Sequence, residues 1–165
     1  AAGSEWSYRH QDSAPEADWD QPGTVLDWAK GKAPLGWGGD VATELAAGER
    51  RPLATQFRKQ FTVADPAALG DLRLTTRADD GIVVAVNGQE VARSNMPDGD
   101  LDWTKYALSA PRTSAALSAP VTTVVPASAL RAGVNTVTVS MHVNYRSTPD
   151  ASFDLELEPR TEQNA

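Results

Sequence analysis

Apolar and polar residues alternate with a period of two over several short segments of the chain, as in strands with one buried face. The clearest examples are residues 136–143 and 152–158, in which every second residue is apolar. Residues 54–63 alternate around Phe57 and Phe61, although Arg58-Lys59-Gln60 interrupts the period and indicates a β-bulge. Shorter strands are predicted at residues 6–9 and 122–125.

Residues 72–93 contain two strand-like runs joined by Ala78-Asp79-Asp80-Gly81, and they predict the centre of one antiparallel sheet. The run 82–86 is continuously apolar and rich in β-branched residues, which is typical of a strand covered on both faces. Asn87 and Gly88 tolerate the positive φ of a type I′ turn, so they predict a hairpin with a return strand at 89–93.

Two long polar segments, residues 11–39 and 94–120, separate the predicted strands. The first carries several tryptophans, whose apolar area favours an ordered loop pinned onto a sheet. The second contains Trp103 and Tyr106 and is the best candidate for a ligand-facing segment, with an alanine- and serine-rich stretch at 112–120. Single helical turns are predicted within 41–51 and 126–130. Seven or eight strands with almost no helix predict an all-β, two-sheet antiparallel sandwich, with a jelly roll as first choice.

The length of 165 residues suits one domain, predicted over 1–159 and followed by a tail or linker at 160–165. A net charge of -7 argues against nucleic acid and anionic membranes as partners, because both require a concentrated positive face. No apolar run is long enough to cross a bilayer, so membrane insertion is not expected. The absence of cysteine excludes disulfides and cysteine metal sites.

The sequence resembles a known family through short motifs that follow one another in order. They are Ala33-Pro34-Leu35-Gly36-Trp37-Gly38, Phe57-Arg58-Lys59-Gln60-Phe61, Ala78-Asp79-Asp80-Gly81, Val86-Asn87-Gly88-Gln89-Glu90-Val91, Asn95-Met96-Pro97, His142 and Phe153-Asp154-Leu155-Glu156-Leu157. In this order they resemble the galactose-binding-like β-sandwich modules of secreted bacterial enzymes, which occur beside metallophosphoesterases and other extracellular hydrolases. The Asp-Asp-Gly turn, strand and Asn-Gly also look like the sugar-binding domains of glycoside hydrolases.

The resemblance extends from Trp6 to Glu158 and implies a non-catalytic carbohydrate-binding accessory module of a secreted or cell-surface protein. Its partners would be a polysaccharide or glycan and a neighbouring catalytic domain. The alternative is a structural or docking domain, packed against a secreted hydrolase domain and without a ligand of its own. A fold of this kind serves many functions, so the function has to be inferred from the residues of the site and not from the fold. A stand-alone hydrolase is a third hypothesis, but no G-x-S-x-G or S-x-x-K motif supports it, and no catalytic residue is predicted.

Ligand-binding residues are predicted from side chains that suit sugars. Indole rings stack on the C–H faces of a sugar, while loop carboxylates and amides bind its hydroxyls. The candidates by residue type are Trp19, Trp28, Trp37 and Trp103, and the alternative is that these side chains pack onto the core. For Trp37 packing is the favoured interpretation, because glycines flank it. The predicted ligand-binding set is Trp28, Trp103, Asp79, Asp80 and Asn95.

No cofactor is required by these patterns, but the resemblance implies that a structural calcium ion can be held by Asp79 and Asp80. Carboxylate oxygens on a loop are the ligands that Ca²⁺ prefers. The alternative is that Asp and Gly are turn residues. His10 and His142 have no paired acid motif and are interpreted as hydrogen-bonded structural residues rather than zinc ligands.

Overall fold

A computed structural model describes residues 1–110 and 120–161, and this part of the chain forms two β-sheets. The strands are β1 (Glu5–Arg9), β2 (Ala29–Lys32), β3 (Leu35–Trp37), β4 (Thr43–Glu44), β5 (Ala54–Val63), β6 (Leu72–Asp79), β7 (Gly81–Val86), β8 (Gln89–Ser94), β9 (Val121–Val125), β10 (Gly133–His142) and β11 (Ala151–Pro159). The six-stranded sheet has the order β2-β1-β5-β10-β7-β8, and the five-stranded sheet has the order β4-β3-β11-β6-β9. Neighbours are antiparallel except for β3 and β4. The predicted all-β sandwich is confirmed.

The core lies between the two sheets and is built from the apolar residues of the alternating segments. Phe57 of β5 stacks on Phe153 of β11 with ring centroids 4.2 Å apart, and Trp6 of β1 meets Phe153 edge-on at 5.1 Å. All three side chains are almost fully buried. Contacts between aromatic rings of opposite sheets therefore hold the sandwich together at its centre.

The strand predictions agree closely with the observed strands where the alternation is regular. Residues 54–63 form β5 with the predicted bounds, and the segments 136–143 and 152–158 lie within or overlap β10 and β11. The Asn-Gly hairpin is also confirmed, because β7 and β8 pair across Asn87 and Gly88, whose φ angles are +51° and +81°. These features depend on short segments of sequence, which is why they could be predicted.

Three predictions about local structure are wrong. The two runs within 72–93 are not neighbours in one sheet, because β6 belongs to the five-stranded sheet and β7 to the six-stranded sheet. The chain crosses between the sheets at Asp79-Asp80. The bulge expected at 58–60 is absent, since β5 pairs with β10 in unbroken register. Lys59 takes a position in β5 where the alternation calls for an apolar residue. Its ammonium group lies 5.8 Å from the centre of the Trp6 ring, so the side chain is accommodated there without a bulge. A bulge lies instead at Val84 and Ala85.

The third wrong prediction is the helical turn within 41–51, where the chain is extended and β4 pairs with β3. The helical structure in the described ranges consists of α1 (Pro66–Leu69) and a single 3₁₀ turn at Ala127–Ala129, as expected for a fold with one or two short turns. Asp65 caps α1 by accepting a hydrogen bond from the backbone N–H of Ala67. Residues 111–119, which hold nearly all of the alanine- and serine-rich stretch, and residues 162–165 of the predicted tail lie outside the described residues. No helix within the described part of the chain is long and apolar enough to cross a membrane.

Candidate functional site

The outward face of the six-stranded sheet forms the floor of a groove of about 480 Å³. Strand register sets which side chains meet there, because residues with the parity opposite to the core point away from the second sheet. One row across the sheet consists of Gln56, Ser140, Val83 and Arg93. The next row contains Thr138, Ala85 and Glu90. The floor therefore combines small apolar residues in its centre with polar and charged residues on either side.

The first wall of the groove is formed by residues 11–28, which belong to the first long polar segment. Trp19, Asp20 and Pro15 line the groove from this side. Arg58 on β5 anchors the segment, because its Nη2 donates hydrogen bonds to the backbone carbonyls of Gln21 and Thr24 at 3.1 and 2.7 Å. The long segment is thus ordered over the sheet, as the sequence predicted.

The second wall is formed by residues 95–110 and carries Asp100, Leu101, Asp102 and Trp103 into the groove. Arg93 anchors it by donating hydrogen bonds from Nη1 to the carbonyl oxygens of residues 97 and 99, at 2.6 and 2.9 Å. Farther along, the backbone carbonyl of residue 105 bonds to His142 at 2.6 Å. Both walls are therefore tied to side chains of the floor.

Trp19 and Trp103 stand on opposite walls of the same groove, and both are only half-buried. The predicted residue Trp28 does not line this groove. It stacks on Trp19 with centroids 5.9 Å apart and donates from its indole N–H to Glu16 at 3.1 Å. Trp28 therefore supports Trp19 from behind. Trp6 and Trp37 are buried, which confirms packing as the role of Trp37.

Gln56 has an unpartnered hydrogen-bond acceptor in the floor of the groove. The residue is only 1% exposed, and its side-chain oxygen Oε1 accepts no hydrogen bond in the structure. An unsatisfied buried carbonyl costs about 1–3 kcal/mol, so a ligand donor at this position would be favourable.

His142 and Ser140 form a hydrogen-bonded pair beside Gln56. The carbonyl of Lys105 can only accept, so His142 Nδ1 carries the proton and donates to it at 2.6 Å. Nε2 of the neutral ring then accepts from the Ser140 hydroxyl at 2.7 Å. Burial lowers the pKa of His142 below 6.5, which keeps the ring neutral at physiological pH. This confirms the interpretation of His142 as a hydrogen-bonded structural residue.

His10 occupies a comparable structural position at the edge of the core. Its Nδ1 bonds to the Thr55 hydroxyl at 2.7 Å, and Arg51 Nη1 donates to Nε2 at 3.2 Å. Burial and the positive charge of Arg51 lower the pKa of His10 from 6.5 to about 4. The guanidinium of Arg51 also lies 4.0 Å from the centre of the Trp37 ring. His10 is therefore neutral at physiological pH and part of this cluster, as interpreted from the sequence.

Asp79 and Asp80 lie at the crossover between the sheets, are 1% and 6% exposed, and are not among the residues that line the groove. The peptide bond between them is cis. Burial, together with the carboxyl groups of Asp80 and Asp150, raises the pKa of Asp79 from 3.8 to about 8. Asp80 Oδ2 accepts a hydrogen bond from the backbone N–H of Asn144 at 2.8 Å. At neutral pH the cluster therefore holds a proton on Asp79.

The fit of a calcium ion to this cluster was judged from the ligands present, since Ca²⁺ takes six to eight oxygen ligands. Among the described residues no three His, Cys, Asp or Glu side chains are arranged to hold a metal ion. The proton on Asp79 would also have to leave before its carboxylate could bind calcium. Because these residues do not fit the ion well, we expect a binding experiment to contradict the calcium prediction made from the sequence.

Asn95 joins the second wall to the sheet crossover. Its Nδ2 donates to the carbonyls of Asp80 and Ser109, and its Oδ1 accepts from the backbone N–H and the hydroxyl of Ser109. Its φ of +57° is in the left-handed region that asparagine tolerates. These contacts use the amide group of Asn95 to hold the second wall in place. The predicted contact of Asn95 with a ligand stays a prediction.

Of the predicted ligand-binding residues, the groove contains Trp103 and lacks Trp28, Asp79, Asp80 and Asn95. Sequence reasoning missed Gln56, Ser140 and Arg93. Their polar type at outward positions of predicted strands was the available signal, but solvent exposure explains such residues equally well. Only strand pairing brings them into one row, and only the two walls enclose them.

These features define an all-β sandwich with a walled groove on one sheet, and the comparisons with known proteins extend the description of the fold. No family model matches the chain, and no curated protein sequence matches it. Solved structures do match. A β-glucuronidase of an uncultured Clostridium covers 97% of the chain with a TM-score of 0.56 and 13% identity. A β-glucuronidase of Bacteroides uniformis covers 95% with 0.58 and 14%, and a β-glycosidase of Bacteroides vulgatus covers 95% with 0.52 and 13%.

The chain spans less than a third of each of these neighbours, matching 29%, 17% and 20% of their lengths. It therefore has the fold of one part of these glycoside hydrolases. Identities below 15% establish a shared fold and nothing about a shared activity.

Proposed function

We propose that this chain is a non-catalytic carbohydrate-binding module, of the galactose-binding-like jelly-roll type, in a secreted or cell-surface protein. Its role would be to hold a neighbouring catalytic domain near a glycan. The observation that carries this proposal is the groove, in which two half-buried tryptophans line opposite walls above a floor that contains an unpartnered acceptor. The match to parts of glycoside hydrolases supports the presence of a catalytic neighbour.

Trp19 and Trp103 are the proposed stacking residues. A sugar between the walls would place its C–H faces against indole and its hydroxyls over Gln56 and Ser140. The walls are already ordered by Arg58, Arg93 and His142, so binding would not require the chain to fold further. Affinity for a single glycan chain is nevertheless expected to be weak, because a flexible sugar loses entropy when it is ordered.

The test is a glycan array followed by calorimetry on the intact chain and on the variants Trp103→Ala and Trp19→Ala. Each variant should weaken binding about tenfold or more, as expected for a central aromatic contact. Tyr145→Ala is the matched control, because this ring is 43% exposed and lies outside the groove. Binding that is unchanged in both tryptophan variants would remove the groove from consideration.

Gln56 allows a second test in which stability and binding should separate. Replacing it with methionine, of similar length, removes the unpartnered acceptor. The Gln56→Met variant should unfold at the same temperature as the parent chain or at a higher one, because a buried polar group without a partner has been removed. Its affinity for a glycan should fall. A variant that loses stability and keeps its affinity would show that Gln56 has a structural role only.

The alternative function, a docking domain without a ligand, is favoured by one other surface. A smaller apolar hollow of about 250 Å³ lies at the far edge of the sandwich and is lined by Phe61, Leu69 and Leu157 among others. Leu69 is 37% exposed there. Failure of a folded chain to bind any arrayed glycan would favour docking through this hollow.

A further inference from the structure

We propose that the groove selects glycans that bring hydrogen-bond donors and positive charge, namely amino sugars with free amines, and that it rejects uronic-acid and sulfated glycans. This inference rests on the proposed function and names the ligand class of the same site. It follows from the charges, the acceptors and the occupied donors that line the groove.

The charged side chains of the groove are mostly acidic. Among the described residues its lining contains four carboxylates and one guanidinium, and no lysine. The carboxylates are Asp20, Glu90, Asp100 and Asp102. Hydrogen bonds from the N–H and hydroxyl of Thr104 lower the pKa of Asp102, so it remains ionised in mildly acidic solution. An anionic sugar would therefore meet like charge on both walls.

The guanidinium of Arg93 is committed to the protein. It makes two bonds to Glu90 Oε1, from Nε and Nη2, and its Nη1 bonds to the carbonyls of Pro97 and Gly99. The bond between Nη2 and Glu90 Oε1, at 2.7 Å, is also an ion pair, so the carboxylate neutralises the charge of the guanidinium. Recognition of a sugar carboxylate by a bidentate arginine would require these bonds to break.

The floor also presents hydrogen-bond acceptors at Gln56 and Ser140. The Ser140 hydroxyl uses its proton on His142, so its lone pairs remain for a ligand. Gln56 Oε1 is an acceptor without a partner, and the buried ring of His142 carries no positive charge. An ammonium group or a hydroxyl would satisfy these oxygens, whereas a carboxylate or sulfate would face them with further acceptors.

The experiment compares three oligosaccharides of equal length on the folded chain: a glucosamine oligomer, its N-acetylated counterpart, and a galacturonic acid oligomer. Calorimetry in mildly acidic buffer, where the amine is protonated, should rank the glucosamine oligomer first and the galacturonate last. The preference for glucosamine should shrink when salt is raised, because exposed charges are screened.

Charge variants locate the effect. Asp100→Asn and Asp20→Asn should each weaken binding of the glucosamine oligomer up to about fivefold, the upper range for one exposed ion pair, and leave the N-acetylated oligomer unchanged. Asp98→Asn is the matched control, because this exposed carboxylate lies on the same wall but outside the groove lining.

The possible results separate this inference from the proposed function. Galacturonate bound as tightly as glucosamine, with binding lost in Trp103→Ala, would overturn the selection for amino sugars and leave the groove as a glycan site. Equal affinity for the glucosamine and N-acetylated oligomers would overturn it as well. No binding of any of the three oligomers, nor of the neutral glycans of the array, would overturn both proposals.

Discussion

Asp79→Asn replaces a carboxyl group that is buried beside Asp80 and Asp150 at the crossover between the sheets. Burial and the two neighbouring acids raise the pKa of Asp79 from 3.8 in the unfolded chain to about 8 in the folded one. Between these two values folding takes up one proton. The stability contributed by this proton is fully present below pH 3.8 and is lost as the pH rises through 8.

The magnitude follows from the slope for one proton, which is about 1.4 kcal/mol per pH unit. From pH 6.5 upwards the free energy of unfolding falls with nearly this full slope, and the slope has decreased to half at the pKa of about 8. Between pH 6.5 and pH 8 the free energy of unfolding of the parent chain should therefore fall by about 1.6 kcal/mol relative to that of Asp79→Asn. For a chain of 165 residues this corresponds to a decrease of about 3–6 °C in Tm.

Above pH 6.5 the histidines, which change the stability in the opposite direction, contribute less than they do at lower pH. Burial and Arg51 lower the pKa of His10 from 6.5 to about 4, so its contribution to stability is lost as the pH falls through this range. Burial lowers the pKa of His142 in the same direction. Between pH 4 and 6.5 the two histidines and Asp79 change the stability in opposite directions, so the effect of Asp79 is measured above this range.

Thermal unfolding followed by circular dichroism between pH 6.5 and 8 measures the effect. The parent chain should lose Tm over this interval, and Asp79→Asn should not, because its amide cannot ionise and can still donate a hydrogen bond. Asp40→Asn is the control for removal of an exposed carboxylate. Equal slopes in the parent chain and Asp79→Asn would refute the assignment of the proton to Asp79.

Three further predictions concern the core, the first wall and calcium. Phe153→Ala should lower the free energy of unfolding by about 3–5 kcal/mol in urea denaturation, because Phe153 contacts the aromatic rings of both Phe57 and Trp6. A loss no larger than that of a substitution at an exposed position would contradict this prediction. Gly88→Ala should cost roughly 1 kcal/mol, since φ is +81° and its Cβ would lie 3.1 Å from the Gln21 amide, whereas Gly39→Ala meets no atom within 4 Å and should be neutral. Added Ca²⁺ or a chelator should leave Tm unchanged, and a rise with Ca²⁺ that disappears in Asp79→Asn would instead establish calcium at Asp79 and Asp80.

The candidate site was only partly predictable. The long loops and the tryptophans indicated a binding surface, and Trp103 does line the groove. Trp28 and Trp19 could not be distinguished, since both are tryptophans in one polar segment and only their contacts show that one stacks behind the other. Gln56 and Ser140 are polar residues on separate strands, and nothing local to either indicates that they are neighbours.

The sequence by itself determined the strands, the Asn87-Gly88 hairpin and the two-layer architecture. These depend on side-chain alternation and backbone preferences over a few residues, which act wherever the segment lies. The tertiary structure decided that β6 and β7 lie in different sheets, that the Asp79 carboxyl is enclosed with a proton, and that two distant loops wall a groove over one sheet. Those features depend on strand pairing and burial between segments far apart in the chain, which local patterns do not encode.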